Sequence, residues 1–462
     1  MWFRRDKFPP GPYSGLKGWS LRALNQSPLE MFTELARHGD IVGIRVVNFR
    51  NIFINHPDLI EEVLVGHPRR YYKGRVLRAN RHVFGEGLLT SEGDFWLRQR
   101  RLVQPAFHRA RIAAYAETMV EYTQRIMEGW RDGEERDVHQ EMMRLTLQIV
   151  AKTLFNADVA RDTQDVGKSL ELLLELGANF RRTLFVPHWL PTPTNLRIKR
   201  EIAFIESILY RIISERRSSG HDAGDLLSML LRAQDEDGSR MTDKQLRDET
   251  ITLFLAGHET TASSLSWTWW LLAQNPAAEA KLHAELDEIL GGRAPSMDDL
   301  ARLPYTANVI TESMRLYPPA WGLARIVVED HELGGYPVKK GMGVAMAQWV
   351  VHRDTRWYDT PEEFRPGRWD GDFAKRIPRF AYFPFGGGPR QCIGNAFALM
   401  EATLILATIA QKYRMHLVPE HPVVPLASIT LRPRYGVRVV LESRKGQTKE
   451  SLPQATQAMS AD

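Results

Sequence analysis

The sequence predicts a mainly α protein with a smaller β-rich part, folded as a single large domain around a long central helix. Three observations carry this expectation. Apolar residues recur with helical period through most of the stretch from about residue 95 to 290. β-branched residues gather in short runs near 38–56, 325–348 and 425–442. No linker-like stretch separates two independent halves, and a 43% hydrophobic fraction supplies a large core.

Taken in order, residues 8–12 (Phe-Pro-Pro-Gly-Pro) read as a stiff, non-helical leader. Residues 41–47 and 51–55 read as two adjacent strands across a short polar turn. After Pro57 the spacing turns helical, and a helical part is expected over 57–320. Its clearest helix runs over about 241–275. Thr242 and Gln245 form a capping box at its start, and Asn275-Pro276 ends it. At 1.5 Å per residue it spans roughly 50 Å. Its middle, Ala256-Gly257-His258-Glu259-Thr260-Thr261, sets helix-weakening residues beside an acid in an apolar run. A helix over 306–316 stops at Pro318-Pro319. Strand pieces follow at 326–328 and 344–347, then a helix over 395–413. Alternation in 429–432 and 437–441 predicts a closing hairpin. The domain is expected to fill residues 1–442, with 443–462 as a flexible tail.

Composition narrows the function. A single cysteine, Cys392, excludes an internal disulfide, a cysteine-cluster zinc site and an iron–sulfur centre held by this chain alone. A net charge of +5 is too mild to imply nucleic acid, though it suits a basic patch facing an acidic protein. The first residues lack the apolar run of a signal peptide, and no stretch reaches the length of a membrane span. A soluble, cytoplasmic monomer without a transmembrane anchor is the expectation.

The chemistry centres on Cys392, in Phe383-Pro384-Phe385-Gly386-Gly387-Gly388-Pro389-Arg390-Gln391-Cys392-Ile393-Gly394. Glycines permit left-handed backbone and close approach of a flat ligand. The sulfur precedes a helix, whose free N–H groups favour thiolate. A thiolate in such a loop suits axial ligation of haem iron. A lone cysteine is more often inert and buried, and the loop lacks the lysine and glycine spacings of a phosphate or dinucleotide loop.

These residues resemble the haem-binding signature of the cytochrome P450 superfamily: Phe385, Gly388, Arg390, Cys392 and Gly394 stand at its spacing, continued by Phe397, Ala398 and Glu401. Five chosen residues would match by chance with odds on the order of 10⁻⁴. The resemblance implies the fold of that family, with the long helix crossing over haem b, Cys392 as the iron's proximal ligand and Phe385 beside the sulfur. Glu312 and Arg315 would be an unremarkable surface pair alone. The resemblance joins them to Arg368, in Pro366-Gly367-Arg368-Trp369, as a structural network. Trp96 and Arg100, four apart, together with Arg325 and Arg390, would meet the haem propionates.

The mid-helix segment resembles the family's oxygen-activation motif. At 100° per residue Ala256, Gly257 and Thr260 share a face with Leu253 and Ser264, while His258 points away and is rejected as a ligand. Small residues at 256 and 257 would leave room for O₂, with Thr260 hydrogen-bonding the activated oxygen and Glu259 relaying protons. Substrate walls are expected from Leu77, Phe84, Leu253, Ala256, Trp321, Leu323 and Ile429, which are mostly apolar.

The implied activity is a haem-thiolate monooxygenase. It would insert one oxygen of O₂ into a C–H bond, or epoxidise, on a lipophilic fatty acid, terpenoid or steroid. The chain has no flavin or iron–sulfur module. NAD(P)H-derived electrons would therefore arrive through a ferredoxin with its reductase, a flavodoxin-type protein or a diflavin reductase, with Arg98 and Arg101 offering a basic docking face. The rivals are a peroxide-using peroxygenase, an isomerase, or a non-catalytic haem sensor.

Overall fold

The computed structural model describes residues 8–12, 27–46, 49–156, 163–178, 186–220, 222, 224–234, 238 and 240–444. Most of the predicted tail lies outside these residues. Its first two members do not fray: the Ser443 N–H donates to Asp132 at 2.6 Å, and Arg444 pairs with Asp287 at 2.7 Å.

Helices dominate. Those that position the site are α1 (Gly93–Val103), α2 (Ala116–Met127), α3 (Val138–Phe155), α4 (Asp243–Gln274), α5 (Pro304–Leu316) and α6 (Asn395–Ala410). The long helix α4 starts where its capping box predicts: Thr242 accepts from the Gln245 N–H at 3.2 Å, and Gln245 accepts from the Thr242 N–H at 2.8 Å. α4 runs through the middle of the large core cluster, packed chiefly against α3. At that crossing a Cβ on Gly257 would stand 2.9 Å from Val150, and the Thr146 hydroxyl donates to the His258 carbonyl at 3.0 Å. Gly257 is therefore small so that two helices can approach. α6 is apolar nearly all round, which suits its burial against α2, α4 and α5.

The strands form two main sheets. β1 (Ile41–Val46), β2 (Phe49–Ile54), β3 (Tyr71–Lys73), β5 (Leu323–Val327) and β8 (Gly343–Met346) form one, in the order β1-β2-β8-β5-β3. The leader joins its edge, where the Gly43 N–H donates to the Pro10 carbonyl at 2.9 Å. β4 (Glu135–Asp137), β12 (Arg438–Ser443) and β9 (Tyr413–Leu417) form the second. β6 (His331–Leu333) pairs with β7 (Tyr336–Val338), and β10 (Pro425–Ala427) with β11 (Leu431–Pro433).

Three expectations are corrected here. β3 and β4 interrupt the stretch read as helical. The last helix ends at Ala410, and Tyr413 already opens β9. The predicted closing hairpin does not pair with itself: β11 pairs with β10, while β12 lies between β4 and β9. Period-2 alternation marks a strand but carries no address for its partner.

Candidate functional site: an apolar cavity between Cys392 and the long helix

A cavity of about 350 Å³ separates the cysteine loop from α4. Leu253, Ala256, Gly257, Thr260 and Ser264 all line it, as the helical period predicts. Cys392, Phe385 and Gly394 line the opposite side. His258 is fully buried elsewhere, its Nδ1 3.3 Å from the Phe254 carbonyl oxygen.

The loop holds its shape through its own backbone. Gly386 and Gly388 sit at φ 69° and 66°, left-handed positions that suit glycine. A Cβ on Gly388 would fall 1.9 Å from the Leu64 carbonyl oxygen, so this glycine makes room for a neighbouring turn rather than for a flat ligand. The Cys392 N–H closes the loop by donating to the Phe385 carbonyl at 3.0 Å. Burial pushes the Cys392 thiol up, and the Gly394 N–H, Arg100 and Lys73 only partly oppose it. The Cys392 side chain is nevertheless open to the cavity, where a coordinated cation would favour the thiolate.

Behind the loop, Glu312 and Arg315 are fully buried. Arg315 Nε and Nη2 donate to the two Glu312 oxygens at 2.8 and 2.9 Å. Arg368 Nε reaches Glu312 at 3.3 Å, and the Trp369 indole donates to it at 2.8 Å. Arg315 also donates to the backbone carbonyls of His352 and Pro361, at 2.9 and 2.6 Å, before the loop begins. Sequence distance is bridged here by charges satisfied on every side, which is what makes them tolerable in a core.

At one edge of the cavity Lys73, Arg100, Arg325 and Arg390 come together with Trp96. The Arg390 guanidinium lies 3.8 Å over the Trp96 ring centroid. Arg100 donates to the Gln391 carbonyl at 3.0 Å. Lys73 was missed in the sequence, because only strand register places it, directly opposite Arg325 across β3 and β5. Burial and the neighbouring arginines push its ammonium down to about 7.

The other predicted residues divide. Leu77 and Leu323 line the cavity, and Leu88 and Leu89 do so where Phe84 was expected. Phe84 is fully buried in the core, because the chain turns at Gly85 (φ 67°) before reaching the wall. Trp321 faces away, its indole donating to the Ser428 carbonyl at 2.9 Å. Ile429 packs at the margin of the core and does not line the cavity. Glu259 is also off the wall. Buried, with Oε1 unpartnered, it faces Thr430 and Arg432. Burial pushes its carboxyl up to about 7, against the pull of the Thr430 hydroxyl and Arg432. The Thr260 hydroxyl does face the cavity and donates to the Ala256 carbonyl at 2.6 Å.

The family model for cytochrome P450 matches residues 8–438. This chain belongs to the cytochrome P450 family. It is 41% identical to cyclooctatin synthase of Streptomyces melanosporofaciens, over 88% of this chain and 89% of that protein. Pentalenene oxygenase of Streptomyces avermitilis is 36% identical over 90% of this chain and 93% of its own. A crystal structure of the cytochrome P450DA heme domain superposes with a TM-score of 0.85 at 28% identity, covering 95% of this chain and 98% of that one. The chain is a cytochrome P450 monooxygenase with a mainly helical, single-domain fold, and such an enzyme works with haem, O₂ and reducing equivalents. Among the described residues, no helix is long and apolar enough to cross a membrane.

The cavity fits a haem. One soft donor, Cys392, stands on one side, a helix with small residues faces it, and four basic side chains at an edge match the two carboxylates of the group.

Proposed function

We propose that the chain holds haem b with Cys392 on the iron and hydroxylates, or epoxidises, a cyclic terpenoid. The observation that carries this is the placing of Cys392 and Thr260 across one apolar cavity whose outer walls are Leu77, Leu88, Leu89, Leu253 and Leu323. Such walls recognise hydrocarbon and not charge. The relatives' names support the terpenoid reading: one similar protein, 40% identical, is cyclooctat-9-en-7-ol 5-monooxygenase, and another is pentalenene oxygenase.

Haem, when bound, supplies the activation of O₂ and the transfer of one oxygen atom. The chain supplies the rest. Trp96, Arg100, Arg325 and Arg390, with Lys73, hold the propionates by charge and hydrogen bonding. The leucine walls place the C–H bond and exclude water. The Thr260 hydroxyl, already donating to Ala256, keeps lone pairs free toward the cavity. Glu259, with a carboxyl near 7, can carry a proton to the Thr260 hydroxyl by turning from Thr430 and Arg432 toward the cavity. Glu312, Arg315 and Arg368 fix the segment that leads into the cysteine loop.

Electrons come from NAD(P)H through a separate ferredoxin, flavodoxin-type or diflavin partner. Arg101 is exposed on the outer side of α1, and Arg98 is half-buried beside it, so an acidic partner would dock there. The protein acts as a cytoplasmic monomer.

The test is spectroscopic. The purified protein should carry haem, and its reduced carbon-monoxide complex should absorb far to the red of a histidine-ligated globin. A panel of cyclic terpenes, terpene alcohols, steroids and fatty acids should then be screened by absorbance. A substrate-induced spin change confined to the terpenoids is expected. A globin-like carbon-monoxide spectrum ends the haem-thiolate reading, and a response to fatty acids alone ends the terpenoid one.

A further inference from the structure

The basic edge of the cavity contains an acid that no motif marks. Lys73 and Arg325 stand directly opposite each other on neighbouring strands. Like charges in that register repel. Arg390 and Arg100 lie close enough to add to the field at Lys73. Four basic side chains therefore meet at one edge, three of them guanidiniums, and two propionates balance only two positive charges.

Glu92 supplies a third anion. It occupies the N-cap of α1, where a carboxylate ordinarily accepts from the first free N–H groups of its own helix. Its side chain makes no such bond. It turns away to accept from the Lys73 N–H at 2.6 Å, and it pairs with Arg390 Nη2. Arg390 also donates to the Ser91 carbonyl at 2.9 Å. The carboxylate is 9% exposed and Arg390 is 14% exposed, so solvent screens the pair weakly. One side chain thus forgoes a cap to tie strand β3 to the cysteine loop.

We propose that Glu92 is a positioning residue for the cofactor: a built-in counter-anion that fixes Lys73 and Arg390 and sets the net charge presented to the haem propionates. The inference rests on the propionate reading of this edge. Its consequence is electrostatic. A fixed negative charge beside the propionates disfavours the reduced, more negative iron centre, and Lys73 acts in the opposite sense.

The experiment uses the haem-loaded protein and reads the midpoint reduction potential of Glu92→Gln, Lys73→Gln and the double variant. Glutamine keeps an oxygen for the Lys73 N–H while removing the charge. The potential should move positive in Glu92→Gln, move negative in Lys73→Gln, and return close to the wild-type value in the double variant. Two single variants that shift in the same direction, or a fully loaded Glu92→Gln with an unmoved potential, overturn the proposal. Should Glu92→Gln lose haem, the double variant should regain it, and failure to do so also overturns the proposal. Arg100→Gln separates the two levels: unchanged haem content and potential there would bring down the propionate reading itself.

Discussion

Glu259 and Thr260 are consecutive on one helix yet face different surroundings, and that difference sets their chemistry. One turn of α4 carries Thr260 into the cavity, while the next side chain back is buried against Thr430 and Arg432. A carboxyl raised to about 7 is protonated on the acid side of neutrality and spent on the alkaline side. The expected outcome is that product formed per NAD(P)H consumed declines as pH rises through about 7. Glu259→Gln should flatten that profile and slow turnover by at least about 10²-fold, the low end for a lost general acid–base group. A Glu259→Gln profile as steep as the parent's would remove Glu259 from the relay. Thr260→Ala should keep haem and substrate binding while diverting electrons from product.

At the scale of elements, the crossing of α3 over α4 decides whether the oxygen side of the cavity keeps its shape. Gly257 stands where a Cβ would press into Val150 at 2.9 Å. Gly257→Ala gains helix propensity of about 1 kcal/mol, but it overpacks the crossing, a change that costs roughly 1–3 kcal/mol. We expect a net loss in thermal unfolding, recovered when Val150→Ala is added. If Gly257→Ala alone raises the melting temperature, the crossing is looser than its geometry implies. The same logic explains why the helix was readable and the contact was not. A capping box at Thr242 and a stop at Pro276 are local signals, whereas Val150 lies 107 residues before Gly257 in the chain.

For the whole molecule, the core carries a titration of its own. Glu401 on α6 is fully buried, and burial pushes its carboxyl up to about 8 against the nearby Thr261 hydroxyl. The folded chain therefore holds a proton that the unfolded chain has released above its ordinary value of 4.5. The stability linked to that proton is fully present below the unfolded value and is lost as pH rises through about 8. The slope is about 1.4 kcal/mol per pH unit in that window. Glu401→Gln should thus lose less melting temperature than wild type when pH is raised from about 6 to about 8.5, and an equal fall in both proteins would contradict the assignment.

The sequence by itself determined the helical character, the long helix with its cap, the cysteine loop, and the face of α4 that meets it. Each depends on residues a few positions apart, where backbone periodicity and local hydrogen bonds fix geometry. The resemblance of five residues around Cys392 then carried the distant pairs, including Glu312 with Arg368. Only the tertiary structure decided that Lys73 faces Arg325, that Glu92 abandons its helix for Arg390, that Phe84 and Trp321 miss the cavity, and that strands 431–433 and 438–443 part company. Those facts depend on which chain segments meet, and pairing across sheets and helix crossings is settled by the burial and charge balance of the assembled core, to which no short window of residues has access.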